Sequence, residues 1–123
     1  MPVVIGKITK IDATLSSEIV EGTLTVSGSY PTGTGDTLSF AGQDQIKSRT
    51  PPRFVLIDEF PPAGTLASGL VYGFAPGTTI ANGQMQVFVG GASASVKMAQ
   101  LGNVTYASVG AANIYFRAEF DRV

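Results

Sequence analysis

The sequence contains no cysteine, no histidine and no tryptophan. Without Cys there is no disulfide framework and no thiol nucleophile. Without His there is no imidazole for a Ser-His-Asp triad, a zinc site or a haem ligand. No catalytic residue, metal site or cofactor is therefore expected. Charge is scarce as well: 14% of residues are Asp, Glu, Lys or Arg, against about 25% in an average soluble domain. Eight Lys+Arg against nine Asp+Glu leave a net charge of -1. Nucleic-acid binders neutralise phosphates with a basic excess, so nucleic acid is not an expected partner. Between Glu59 and Arg117 the only charged side chain is Lys97. That neutral stretch does not read as a membrane span, because Gly, Pro, Asn and Gln break every apolar run well short of about 20 residues. The opening Met1-Pro2-Val3-Val4-Ile5-Gly6-Lys7 has neither the basic region nor the long apolar run of a signal peptide. The expectation is a protein used without secretion and without a membrane.

What the sequence does have is apolar material and turns. Hydrophobic residues make up 44% of the 123, with 15 Gly and 7 Pro spread along the length. That is the composition of short strands joined by turns. Residues 113–121 alternate cleanly, with Ile114, Phe116, Ala118 and Phe120 on one face and Tyr115, Arg117, Glu119 and Asp121 on the other. Val20, Leu24 and Val26 oppose Glu21, Thr23 and Thr25 in the same way, and Met85, Val87 and Val89 oppose Gln84 and Gln86. Arg53–Phe60 and Leu70–Phe74 are nearly continuous apolar runs and read as central strands buried on both faces. Asn82-Gly83 is a favoured hairpin pair. Ile8, Ile11, Leu15 and Ile19 fall at roughly helical spacing, but the β-branched content of residues 7–15 favours a strand. Ala41–Lys47 has room for one helical turn. The sum is an all-β domain of about seven or eight short strands, a β-sandwich or jelly-roll without substantial helix. Residues 1–18 form an N-terminal arm or edge strand, and 19–123 a single β-sandwich domain.

The carboxylates offer little chemistry. Asp58 and Glu59 are neighbours on a strand and point to opposite faces. Glu119 and Asp121 share a face at a spacing compatible with a glycosidase pair, but they alternate with Arg117 as a solvent face does. Gly33-Thr34-Gly35 lacks the helix a phosphate loop requires. Asp36 and Asp44 lack calcium-loop spacing. The surface remains, and it is rich in Thr, Ser, Gln and Asn, which cost little to cover with another protein. Candidate contacts are the arm Pro2, Val3, Val4 and Ile5, the loop from Tyr30 and Pro31 to Asp36, and the cations Lys47, Arg49 and Arg53, able to pair with a partner's carboxylates. Tyr115 and Phe88 lie on the polar phase of their strands, where they form a patch if Tyr72, Phe74 or Tyr106 joins them. Tyr30, Tyr72, Phe88 and Tyr115 are the candidates for a sugar platform.

The run Thr23-Leu24-Thr25-Val26-Ser27-Gly28-Ser29-Tyr30-Pro31-Thr32-Gly33-Thr34-Gly35-Asp36-Thr37-Leu38 resembles the strand, Gly-rich turn and Gly-Asp-Thr-Leu opening of small structural proteins of tailed-bacteriophage virions. The strand pair Leu70–Phe74 and Asn82–Phe88 and the closing Ile114–Phe120 strand are similar in style. The resemblance is in particular to head decoration, or capsid cement, proteins. The resemblance implies an all-β module carried in many copies on the capsid exterior, bound to the major capsid protein and often grouped as homotrimers. It supplies no particular contact residues. Alternatives are a tail-tube, tail-completion or head-fibre module, or a carbohydrate-binding β-sandwich.

Overall fold

The computed structural model describes residues 3–14, 16–89 and 99–121. Eight strands form two antiparallel sheets, in the manner of a β-sandwich. The strands are β1 (Val3–Ala13), β2 (Ser17–Val26), β3 (Asp36–Leu38), β4 (Phe54–Glu59), β5 (Val71–Ala75), β6 (Gly83–Val89), β7 (Ala99–Gln100) and β8 (Ile114–Asp121). The first sheet runs β1-β2-β8-β4 and the second β3-β6-β5, with β7 also paired to β6. Among the described residues the only helical element is a 3-10 turn at Ala107–Val109. Residues 41–47 make isolated turns instead of a helix, with Ile46 buried beneath them.

The expected alternation decides the inner faces. Ile114, Phe116, Ala118 and Phe120 of β8 are all buried, as are Val20 and Leu24 of β2 and Met85 and Val87 of β6. Their burial is the main favourable term in holding the sheets together. Phe40, from the loop after β3, sits between the sheets against Phe74, Phe116 and Phe120.

β1 shows why a strand can carry helical spacing. Its register against β2 slips between Ile5 and Lys7 and again between Ile8 and Lys10. Each slip inserts one residue, so a period of two becomes a spacing of three. Ile5, Ile8 and Ile11 therefore pair with Leu24, Gly22 and Val20, all on the inner face. Gly22 is required there: a Cβ would lie 2.3 Å from the Lys7 carbonyl oxygen and 3.0 Å from the Phe116 ring. The bulges and the exposed Lys7 and Lys10 also guard this free edge against indiscriminate strand pairing.

Two expectations are corrected. Among the described residues β4 pairs only with β8 and ends the first sheet, so Arg53–Phe60 is not a central strand. Phe54, Leu56 and Phe60 face solvent. Leu70–Phe74 likewise contributes an edge, because among the described residues β5 pairs only with β6 and Val71 is exposed. An unbroken apolar run marks residues to be covered, and among the described residues no strand pairs with the outer edge of β4 or of β5.

Candidate binding surfaces

The structure sorts the expected contact residues into three groups. Val3 and Tyr30 are core residues, and neither has surface to offer a partner. Val3 closes the inner face of β1 where it meets Val26. The Tyr30 hydroxyl accepts the Val87 N–H at 3.1 Å and is also bonded by Gln100, while its ring meets Tyr106 edge to face. Pro31 and Ile5 are half-buried, and Val4 is exposed. Pro2 lies outside the described residues. The loop after Pro31 is tied down by the Thr32 hydroxyl to the Leu101 carbonyl (2.7 Å) and by the Thr32 N–H to Asn103 (2.9 Å).

The three cations are exposed, but they are not a free trio. Arg53 spans Glu119 at 2.5 Å and Asp121 at 3.1 Å. Both carboxylates thus seat the same arginine. Arg49 donates to the carbonyls of Ile46 and Ser48, at 2.9 and 3.0 Å, and Lys47 to that of Asp44 at 3.1 Å. Their side chains brace their own loop.

Three buried carboxylates, which sequence reasoning did not single out as buried, hold loops in place. Glu18 accepts the backbone N–H groups of Lys47 and Ser48. Glu59 accepts from the Ser68 N–H, the Ser68 hydroxyl and the Tyr72 hydroxyl. Asp36 accepts from the Tyr106 hydroxyl. Burial, and then the neighbouring carboxylate, pushes the phenols of Tyr72 and Tyr106 above the ordinary tyrosine range. Both therefore remain protonated donors, buried and unavailable as sugar platforms.

Burial also raises the Asp36 carboxyl above its usual 3.8, against the opposing effect of the Tyr106 hydrogen bond. Between the ordinary and the raised value, the folded state holds more protons than the unfolded state. Stability should therefore fall as pH rises through that window and level off above it. Asp36→Asn should remove this component. Urea midpoints across the acidic range, wild type minus variant, should show a difference that changes within the window; a constant difference refutes the assignment.

The exposed aromatics gather elsewhere than expected. Phe88 is half-buried on β6. Tyr115 instead meets Phe60, edge to face, at 5.6 Å between ring centroids. They flank a groove of about 370 Å3 on the outer face of the first sheet. It crosses all four strands, with Thr9 from β1, Glu21 from β2, Arg117 from β8 and Leu56 and Asp58 from β4 on its walls. The register sets this up, because Leu56 and Glu21 both lie opposite Arg117, and Asp58 lies opposite Tyr115. Glu21 and Arg117 form an ion pair at 3.7 Å. Among the described residues no cluster of acidic side chains suits a metal ion. Comparison with known proteins returns no matching family model, no matching curated protein and no matching solved structure.

Proposed function

We propose that the chain is a non-enzymatic virion structural protein, a head decoration or cement protein. On this reading it sits on the capsid exterior in many copies, grouped as homotrimers on the major capsid protein, and reinforces the shell. The virion setting comes from the sequence resemblance at residues 23–38 and in the later hairpins. The supporting observation in the fold is the rising exposure along the inner face of β1. Its inner-face column starts in the core at Val3, is half-buried at Ile5 and Ile8, and reaches 37% exposure at Ile11. An apolar face that runs out beyond its own core is a face for another chain to complete. A contact of ordinary size removes roughly 800 Å2 from each partner, and many weak copies on one lattice act together.

Chain added to shells of the major capsid protein alone should co-sediment with them and raise the temperature at which they open. Ile11→Asp should weaken this binding at least about tenfold. Its own unfolding free energy should shift by no more than about 1 kcal/mol, because the side chain is already partly solvated. Failure of the wild-type chain to bind, together with unchanged heat resistance of shells lacking it, overturns the proposal.

A further inference from the structure

We propose that the outer groove between Phe60, Tyr115 and Arg117 is a carbohydrate site that takes a neutral pyranose residue. The inference does not rest on the virion reading. The two rings meet edge to face and are 64% and 40% exposed, so each offers ring surface to solvent. A pyranose presents a patch of C–H groups that packs on such surface while its rim of hydroxyls stays polar. The polar groups of the groove match that rim. The Glu21–Arg117 pair, at 3.7 Å, is longer than a hydrogen bond and leaves both partners with bonding capacity. Asp58 uses Oδ1 to accept the Glu59 N–H at 2.8 Å, which leaves Oδ2 available. Donors from Arg117 and acceptors from Glu21 and Asp58 thus border one apolar surface, an arrangement suited to hydroxyls that both donate and accept.

Charge argues for a neutral ligand. One cation and two carboxylates give no field strong enough to select a polyanion or a polycation. Size agrees, because about 370 Å3 is at the low end of small-molecule sites.

The test uses the full chain, isotope-labelled and titrated with maltose, cellobiose, lactose and chitobiose. At least one sugar should give saturable amide shifts confined to the neighbourhood of Leu56, Phe60 and Tyr115. A shallow, open groove predicts a Kd on the order of 1 mM. Tyr115→Ala should abolish the shifts, and Asp58→Asn should weaken binding about tenfold. Thermal melts of both variants, expected to stay near the wild type, separate lost binding from lost folding. No saturable shift with any of the four sugars overturns the proposal. So do shifts that survive in a folded Tyr115→Ala. Groove shifts that grow with protein concentration alone also overturn it, and assign the face to a second copy.

Discussion

Replacing Phe40 with alanine is expected to lower the unfolding free energy by about 3–5 kcal/mol. Phe40 belongs to no strand, yet it is almost completely buried. Its ring lies 5.3 Å from that of Phe120 and 5.6 Å from that of Phe116, both on β8, and 6.3 Å from that of Phe74 on β5. It therefore touches both sheets at once. Each edge-to-face pair adds about 0.5–1.5 kcal/mol to the plain gain from burial. Removal leaves a cavity that three stiff rings on two hydrogen-bonded sheets cannot readily fill. Phe40→Leu keeps most of the volume and should cost much less, about 1.5 kcal/mol. Phe60→Ala is the contrasting case: its ring is mostly exposed, and the expected cost is within about 0.5 kcal/mol. Urea denaturation of the three variants measures all three values. A Phe40→Ala cost below about 1 kcal/mol would mean that the loop after β3 does not seat the ring between the sheets.

Phe40 also marks the limit of what the sequence reveals. Periodicity identifies a face only where a strand is regular, so the alternation of β8 gave its phase without ambiguity. Phe40 sits in a loop, anchored by its N–H to the Ile80 carbonyl at 3.1 Å, and a single phenylalanine has no period. In β1 the period itself was altered. Two bulges stretched the spacing of Ile5, Ile8 and Ile11 to three, and only their pairing partners on β2 reveal one shared face. For β4, the apolar run was visible but its position in the sheet was not. Sheet order depends on which strand β8 meets on each side, a long-range choice that no local pattern encodes. The groove inherits that difficulty. Tyr115 stands out as an aromatic on a polar phase, but Phe60 ends an apolar run that reads as a buried strand. Only the β4–β8 register brings the two rings together.

Glu18→Ala should cost about 2–4 kcal/mol, although it removes a surface-type residue from the end of a strand. Alternation places Glu18 on the inner face of β2, in phase with Val20 and Leu24. A carboxylate there is tolerated because backbone donors come to it. The Ser48 N–H reaches Oε1 at 3.0 Å, and the Lys47 N–H lies 3.1 Å from Oε2. Hydrogen bonds to an ionised acceptor contribute about 1.5–3 kcal/mol each, and a buried donor left without a partner bears its full desolvation cost. Alanine deprives both donors at once. Glu18→Gln is the informative companion. Its amide oxygen in the place of Oε1 can still accept both N–H groups, which lie 3.0 and 3.2 Å from that atom, but its NH2 group then faces the Lys47 donor. It should recover only part of the loss. The damage should also be local at first: Ser48 is still held through its hydroxyl to the Asp121 carbonyl at 2.8 Å. Amide exchange should therefore accelerate at Lys47 and Ser48 in the alanine variant under conditions where β8 remains protected. Equal acceleration along β8 would show that Glu18 supports the whole sandwich and not this loop. Unchanged exchange at Lys47 and Ser48 would show that the carboxylate does not hold the loop at all.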